Sequence, residues 1–288
     1  MAIHSRRFCQ NVTCGWWTKK LYRDSIDAMK NVLLSTRDLK KVYGKRDSKF
    51  EALKGVDLDL QKGESVAIIG KSGSGKSTLM HLLALLDKPS EGHITLNGKN
   101  TSKLKQRKLN RLRNKEFGFV FQSFFMNSND TVLNNVILPL KIAGIRRGER
   151  RRRAMEALKT VELDDKAKNK AKDLSGGQKQ RVCIARALVN NPKVIFADEP
   201  TGNLDSITGA KIEELLFNLN REKEITLIIV THDEELAEKC GRRIRIADGQ
   251  IVADGKGIAK HDPSFIEDEN IDGMRDKNHT KEIEVEEK

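Results

Sequence analysis

The sequence predicts an α/β fold with a parallel sheet at its centre, and three observations support this. An apolar strand, Glu64–Ile69, runs into a glycine-rich turn and then into a helix, Lys76–Leu86. Further strands alternate with helical segments towards the carboxyl terminus, which is typical of parallel sheets joined by helices. Helical periodicity over about residues 123–190 interrupts that alternation. We therefore expect a helical subdomain inserted into the α/β core.

The segments around the glycine-rich turn have the character of an antiparallel β subdomain. Leu33–Tyr43 and Phe50–Leu60 are predicted strands separated by the charged loop Gly44–Lys49. Gly92–Leu96 alternates apolar and polar residues and is followed by Asn97-Gly98, a strong hairpin-turn signal.

The remaining elements follow from period and composition. We expect a basic helix, five strands and two further helices at Lys103–Asn114 (helix), Phe117–Phe121 (strand), Val194–Ala197 (strand), Thr208–Asn220 (helix), Ile225–Val230 (strand), Asp233–Glu238 (short helix) and Ile244–Ile251 (two strands around Asp248-Gly249).

The composition indicates an ordered domain with charged flanks. The chain has 288 residues, 38% hydrophobic, and contains no apolar run of the roughly 18 residues that a membrane-spanning helix needs. Any membrane work is therefore assigned to another chain. We expect a folded domain over residues 33–255 and an N-terminal extension over residues 1–32, of which 1–28 are an appendage or a misassigned start. A charged tail, residues 256–288, is predicted to be disordered.

The net charge of +13 is unevenly distributed. Arg146–Arg153 contains six arginines, whereas Ile266–Lys288 is rich in Asp and Glu. The arginine run has two interpretations: a solvated helix face, or a surface beside anionic lipid headgroups.

The cysteines do not form a recognisable metal site. Cys9 and Cys14 lack a second pair of ligands nearby, so their spacing matches no zinc signature. Cys183 lies within a predicted helix and Cys240 just after one, and we expect both to be packed thiols.

The glycine-rich turn matches the phosphate-loop pattern G-x-x-x-x-G-K-[ST] at every position. Its backbone N–H groups and the following helix dipole favour bound phosphate. Lys76 is expected to reach the β- and γ-phosphates, and Ser77 to ligate Mg²⁺. The predicted nucleotide-binding residues of this segment are Gly70, Lys71, Ser72, Gly73, Ser74, Gly75, Lys76, Ser77 and Thr78.

Polar side chains end three of the predicted core strands. Asp198 and Glu199 close an apolar strand; we expect Asp198 to hold Mg²⁺ and Glu199 to polarise the attacking water as general base. His232 and Gln122 follow two other strands, where each side chain can sense the γ-phosphate or the water. Gln122 is also a candidate Mg²⁺ ligand.

Leu174-Ser175-Gly176-Gly177-Gln178 resembles the signature motif of ATP-binding-cassette (ABC) ATPases. The resemblance covers roughly Leu33 to Gly255 and implies a P-loop NTPase (RecA-like) core with ATP and Mg²⁺ as ligands. It also implies that Tyr43 stacks on adenine, that Gln122 is the Q-loop glutamine and His232 the switch histidine, and that Asn203-Leu204-Asp205 crosses to a partner subunit.

The same resemblance gives the signature a physical role as a second anion site. The Ser175 hydroxyl and the N–H groups that begin the Gly176–Leu188 helix present a positive dipole. In the family this end caps the γ-phosphate held by the other subunit, which implies a homodimer in the ATP-bound state. The residues carried over are Ser175, Gly176, Gly177 and Gln178.

Within that family, three stretches resemble the macrolide-exporter and lipoprotein-releasing branch, which also includes bacteriocin and antimicrobial-peptide exporters. They are Phe119–Ser123, Asn135–Leu140 and Ala197–Asp205. Phe124–Asp130 departs from the usual leucine- and proline-containing run, at the place where a permease's coupling helix would dock.

The expected function is an ATP-hydrolysing transporter subunit on the cytoplasmic face of the cell membrane. It would energise an integral membrane permease on a separate chain, for export of a peptide, lipophilic compound or drug. Three alternatives remain: the ATPase of an importer, a non-transport ABC ATPase acting on nucleic acid, and a binding-only regulator. No nucleic-acid partner is expected from a single cassette with a short helical insert.

Overall fold

The computed structural model describes residues 31–45 and 48–256. The expected N-terminal extension up to residue 30, with Cys9 and Cys14, and the expected tail after residue 256 lie outside the described residues.

Within the described residues, ten strands form two sheets. The strands are β1 Val32–Tyr43, β2 Phe50–Gln61, β3 Ser65–Ile69, β4 Glu91–Leu96, β5 Lys99–Asn100, β6 Phe117–Phe121, β7 Val194–Asp198, β8 Thr226–Val230, β9 Arg242–Ala247 and β10 Gln250–Lys256. The described helices are α1 Lys76–Leu83, α2 Gln106–Glu116, α3 Val132–Ile142, α4 Arg147–Thr160, α5 Gly176–Leu188, α6 Ser206–Lys223 and α7 Glu234–Glu238.

The larger sheet has the strand order β10-β9-β3-β8-β7-β6. Its strands are parallel except β10, which runs antiparallel to β9. Every residue of β8 is buried, as are the first four residues of β7. Continuous apolar strands of this kind need cover on both faces, which a parallel sheet with flanking helices supplies. The predicted α/β core is confirmed.

The smaller sheet is antiparallel, in the order β2-β1-β4-β5. β4 and β5 form the hairpin that the sequence predicts, and Asn97 and Gly98 have φ angles of 49° and 71°. Positive φ at both central residues is the type I′ geometry, which matches the twist of the flanking strands.

The larger sheet divides the buried apolar residues into two layers because successive strand residues face opposite ways. Ala67 and Ile69 pack towards the inserted helices, in one cluster with residues of α3, α4 and α5. Val66 and Ile68 pack towards α1 and the antiparallel sheet. Each face of this sheet thus contributes side chains to one of the two buried apolar clusters.

The inserted helices α3, α4 and α5 lie within the predicted segment. Thr131 caps α3 by accepting a hydrogen bond from the Asn134 backbone N–H. The arginine run falls on α4, where Arg152 and Arg153 form ion pairs with Glu149. These hydrogen-bonded arginines, Arg152 first, lower the pKa of Glu149 to about 2. The run therefore contributes to an exposed, partly neutralised helix face.

Three of the predicted helices have wrong ends. One is α6, which runs from Ser206 to Lys223 rather than over Thr208–Asn220. α1 ends at Leu83 rather than Leu86, because Leu85 adopts a left-handed φ of 55° that a helix cannot continue through. α2 runs from Gln106 to Glu116 rather than over Lys103–Asn114, and the chain passes directly from it into β6.

Cys183 and Cys240 are buried free thiols, as expected. Burial raises their pKa to about 11 and about 12 respectively. Among the described residues, no helix combines the length and the apolar character needed to cross a bilayer.

We predict that Phe196→Ala lowers the free energy of unfolding by about 3–5 kcal/mol, because it empties a fully enclosed site. Phe196 is 1% exposed, and its ring meets those of Phe117 and Phe119 at centroid distances of 5.3 and 5.7 Å. Denaturant unfolding measures the change. Phe50→Ala is the matched control, since Phe50 is 60% exposed and its loss should cost about 0.5 kcal/mol or less. Equal losses for the two variants would contradict the proposed packing.

Candidate active site

The candidate site is organised by the register of the parallel sheet. Asp198 lies opposite Phe121 on one side and Val230 on the other, and Val230 lies opposite Ile68. Four strands therefore end at one level, at the carboxyl edge of the sheet. Gln122, Glu199, Thr231-His232 and the phosphate loop come directly after these strand ends. The structure therefore brings the predicted residues Gln122, Glu199 and His232 together with the phosphate loop. Ligands bind at this edge in open α/β sheets.

The phosphate loop connects β3 to α1 through backbone geometry that requires glycine. At Gly70, with φ of 148°, an added Cβ would lie 2.2 Å from the Ile246 carbonyl oxygen. At Gly75, with φ of 107°, it would lie 2.7 Å from the Ala52 carbonyl oxygen. The first N–H groups of α1 have no intrahelical acceptors and face this loop.

A buried polar atom in the loop fits an anion. The hydroxyl oxygen of Ser74 is inaccessible and lacks a hydrogen-bond partner among the described residues. Ser72 and Gly73 beside it are exposed, as is Ser77 in the first turn of α1. The loop thus combines available donors with an open approach, which fits phosphate.

Lys76 points back into the loop. Its Nζ donates hydrogen bonds to the carbonyl oxygens of Gly70 at 2.6 Å and Lys71 at 2.8 Å. Burial lowers the pKa of this ammonium, and the carboxylates of Glu199 and Asp198 oppose that shift. The carbonyls hold the cation in the position where phosphate oxygens could take their place.

Asp198 is the candidate metal ligand at the end of β7. Burial raises its pKa, with a further contribution from Glu199, while His81 and Lys76 act in the opposite direction. A carboxylate, the Ser77 hydroxyl and the amide oxygen of Gln122 are hard oxygen donors, which suit Mg²⁺. No cluster of three His, Cys, Asp or Glu residues occurs in the described part of the chain. The donor set therefore fits Mg²⁺ bound largely through hydroxyl, amide and water oxygens.

Glu199 and His232 are in direct contact. The Oε1 atom of Glu199 accepts from the His232 backbone N–H at 3.0 Å and lies 2.6 Å from His232 Nδ1. Its Oε2 atom accepts from the Thr231 hydroxyl at 3.1 Å. Glu199 has a left-handed φ of 46°, and its own N–H donates to the Val230 carbonyl. Backbone and side-chain contacts both hold this carboxylate at the strand end.

Thr231 is a residue that the sequence analysis missed. Its hydroxyl donates to Glu199 and accepts from the Asp233 backbone N–H at 3.0 Å. Thr231 therefore holds one carboxylate oxygen of Glu199, and His232 holds the other. The position of Thr231, directly after β8, was the available signal.

Gln122 is joined to Asn203 by two amide hydrogen bonds. Gln122 Nε2 donates to Asn203 Oδ1 at 3.2 Å, and Asn203 Nδ2 donates to the Gln122 carbonyl at 2.9 Å. Between them, a Cβ at Gly202 would lie 2.9 Å from Gln122 Nε2. The residue after β6 is thus connected to the loop that begins at Asn203.

Gln180 also connects the end of β6 to the segment after β7, and the sequence analysis did not identify this residue. Its buried side-chain amide donates to the Pro200 carbonyl at 2.7 Å and the Phe121 carbonyl at 3.3 Å. Because Gln180 lies on α5, this helix holds the ends of β6 and of the segment after β7 together.

Tyr43 lies at the side of the site beside α1. Its hydroxyl donates to Asp87 at 3.1 Å, and Lys41 lies over its ring with Nζ 4.8 Å from the centroid. Lys41 also pairs with Asp87 at 2.8 Å. Burial is the largest cause of the raised pKa of Tyr43, and a hydrogen bond with Thr78 acts against it. Lys41 and Asp87 thus orient an aromatic ring that is 40% exposed.

Ser175 and Gln178 form a capping box at the start of α5. Ser175 Oγ accepts from the Gln178 backbone N–H at 3.3 Å, and Gln178 Oε1 accepts from the Ser175 N–H at 3.1 Å. The Ser175 hydroxyl proton remains available because this oxygen is used as an acceptor. With Gly176, Ser175 is exposed. The end of α5 is therefore a preorganised donor surface.

Comparisons with known proteins agree with this geometry. The model of the ABC transporter family matches residues 53–202. The lipoprotein-releasing system ATP-binding protein LolD of Geobacter metallireducens is 44% identical, over 77% of this chain and 99% of its own length. The macrolide export ATP-binding/permease protein MacB of Nitrosomonas europaea is 47% identical over 77% of this chain but only 34% of its own length.

A solved structure has the same fold. The dimeric bacterial ABC transporter cassette MJ0796 superimposes with a TM-score of 0.72 at 43% identity, covering 79% of this chain and all of that one. MJ0796 has also been solved as a dimer in a post-hydrolysis state bound to ADP and Pi.

We predict that Gly177→Ala destabilises the protein by about 1–3 kcal/mol through overpacking between α5 and α6. An added Cβ would lie 2.4 Å from Cγ2 of Thr208. Thr208→Ser removes that methyl and keeps the hydroxyl, so it should restore stability in the double variant. Thermal unfolding of the two single variants and the double variant measures the coupling. Strictly additive effects would contradict the close approach.

Proposed function

The chain belongs to the ABC transporter family, and we propose that it is the ATP-hydrolysing subunit that energises a separate membrane permease. The row of strand ends at Phe121, Asp198, Val230 and Ile68 supports this proposal, because the catalytic candidates and the phosphate loop come directly after it in the chain.

The nucleotide is held by the phosphate loop and α1. Backbone N–H groups from Gly70 to Thr78 receive the phosphates, Lys76 exchanges its carbonyl partners for phosphate oxygens, and Tyr43 stacks on adenine. Ser77, Asp198 and Gln122 hold Mg²⁺. The ion, when bound, neutralises charge that develops on the phosphate oxygens during transfer.

Glu199 acts as the general base. Each carboxylate oxygen has two acceptor positions, and Oε2 is used once, by Thr231. The other position on Oε2 accepts the proton of an attacking water, while His232 holds Oε1 in place. A positioned base of this kind is worth about 10²–10⁴ in rate.

A second copy of the chain completes the site. The donor surface at Ser175 and Gly176 is exposed and needs an anion, and the similar cassette MJ0796 is dimeric. We therefore assign a head-to-tail homodimer in which Ser175 of one copy contacts the γ-phosphate held by Lys76 of the other. ATP then favours the closed dimer because it contacts both copies only in that state.

We predict that Glu199→Gln yields an ATP-dependent dimer with turnover reduced at least about 10²-fold, since the amide keeps the shape but cannot accept the proton. Size-exclusion chromatography with light scattering, with and without MgATP, measures the association. Lys76→Ala is the control that should neither bind ATP tightly nor dimerise. A Glu199→Gln chain that stays monomeric at saturating MgATP would contradict the shared site.

The structure offers an apolar docking groove for the permease. Phe125, Leu138 and Ile142 are 71%, 50% and 68% exposed and line a cleft of about 500 Å³ between α2, β6 and α3. Apolar side chains clustered on a surface in this way mark an interaction site. Phe125, which lines the cleft, belongs to the segment Phe124–Asp130 that departs from the family's usual sequence.

The groove is connected to the donor surface through α5. Arg186, near the end of that helix, donates to the carbonyl oxygens of Phe124 at 3.0 Å and Phe125 at 2.8 Å. The Phe125 ring also meets Phe121 edge-to-face at 5.5 Å. Movement of α5 during closure is thereby transmitted to the permease side of the groove.

The names of the similar proteins support export rather than import, because LolD belongs to a lipoprotein-releasing system and MacB exports macrolides. We accordingly assign a lipophilic or peptide substrate, and a place for this subunit on the cytoplasmic face of the membrane, where ATP is supplied.

We predict that Phe125→Asp releases the chain from the membrane fraction of its native host, because a charge cannot be buried in the apolar groove without a partner. Fractionation and immunoblotting measure the distribution. Val252→Asp is the matched control: Val252 is 55% exposed on β10, away from the groove. Nucleotide binding by both purified variants should be unchanged. Retention of Phe125→Asp in the membrane fraction would argue against this docking surface.

A further inference from the structure

A second cleft, which the ATPase function does not use, lies at the amino edge of the parallel sheet. It encloses about 900 Å³ beneath the starts of β3, β7 and β8. We call it the basic cleft, because four of its lining side chains are cationic: Lys62, Lys193, Arg221 and Lys223. It lies at the opposite end of the strands from the phosphate loop.

The cations of the basic cleft are incompletely neutralised. Lys193 pairs with Glu116 at 2.8 Å, and Arg221 bonds to the neutral side chain of Asn218. Lys62 and Lys223 are exposed and form no ion pair with the described residues. Glu224 is the one acidic residue among those that line the cleft within the described chain. The cleft therefore favours an anionic occupant.

The chain after β10 begins at this same edge. Lys256, the last residue of β10, lies opposite Arg242, and Arg242 lies opposite Val66 near the start of β3. β10 and β8 are three strand spacings apart, or about 14 Å. The ten residues from Lys256 to Ile266 can extend to about 33 Å, so the chain from Ile266 onward can reach the cleft.

The segment Ile266–Lys288 has the complementary charge, with nine acidic and four basic residues. Within it, Glu282–Glu286 alternates glutamate with Ile283 and Val285. The floor of the cleft includes the apolar residues Leu33, Leu188 and Ile225. Residues 1–30 directly precede Asn31, which lines the cleft. They carry six basic and two acidic residues, so their net positive charge disfavours binding to the basic cleft.

We propose that the acidic segment Ile266–Lys288 docks on the basic cleft of its own chain. The docked segment screens Lys62 and Lys223 and thereby covers a cationic patch of the surface. Docking leaves the ATP site open, because that site is at the other edge of the sheet. The interaction is electrostatic and depends on salt, since the Debye length falls to about 3 Å at 1 M salt.

Zero-length carbodiimide cross-linking of the full chain, followed by peptide mass spectrometry, tests this proposal. Links should join Lys62, Lys193 and Lys223 to acidic residues of Ile266–Lys288, and should decrease several-fold at 1 M NaCl. The Lys193–Glu116 pair is an internal standard, because its atoms are already 2.8 Å apart. Mixing isotope-labelled with unlabelled protein separates links within one chain from links between copies.

Charge reversal provides the second measurement. In the double variant Lys62→Glu/Lys223→Glu, cross-links between Lys193 and the segment Ile266–Lys288 should decrease several-fold. The Lys193–Glu116 cross-links and the basal ATP turnover should be unchanged. Lys99→Glu/Lys103→Glu, at two exposed lysines around β5, makes the same charge change elsewhere and should leave the tail links intact. The proposal is overturned if no cross-links join the cleft lysines to the tail, or if both double variants lose these links equally. It is also overturned if the links form mainly between copies, or if they join the cleft lysines to Asp24 and Asp27 instead.

Discussion

The alignment of four parallel strand ends is the constraint on which the site depends. Hydrogen bonding between β6, β7, β8 and β3 places Phe121, Asp198, Val230 and Ile68 in one row. Adjacent strands are about 4.8 Å apart, so side chains that follow this row meet within a few ångströms. A shift of one residue in any strand would exchange its buried and site-facing side chains. The apolar packing on both faces of the sheet opposes such a shift, so the core maintains the active-site geometry.

The polar groups of the site form hydrogen bonds with one another within the single chain. Lys76 bonds to the carbonyls of its own loop, Glu199 to Thr231 and His232, and Gln122 to Asn203. These contacts reduce the cost of partial burial for each group. Nucleotide binding must therefore exchange hydrogen bonds rather than simply add them. In the proposed site, Gln122 and Asn203 are joined by hydrogen bonds and would change together on such an exchange.

Helix α5 connects three functional regions. It begins at the Ser175 capping box, it holds the ends of two strand segments through Gln180, and it carries Arg186 at the groove proposed for the permease. Rigid helices transmit displacement along their length, which is the kind of physical connection that coupling between distant sites needs. The basic cleft, at the amino edge of the sheet, contacts α5 at its last residue, Leu188, and its proposed role concerns the charged tail rather than catalysis.

The sequence by itself determined the local chemistry of this protein. The phosphate loop, the acid pair after an apolar strand, the signature motif and the Asn97-Gly98 turn are short patterns, and neighbouring residues suffice to define them. The tertiary structure decided the strand order and register, the contact of Glu199 with Thr231 and His232, the pairing of Gln122 with Asn203, and the ends of α1 and α2. Gln122 and Asn203 are 81 positions apart in the chain, and the paired strand residues Ile68 and Val230 are farther apart still. No local periodicity encodes such distances, because they result from how the whole sheet and its helices pack.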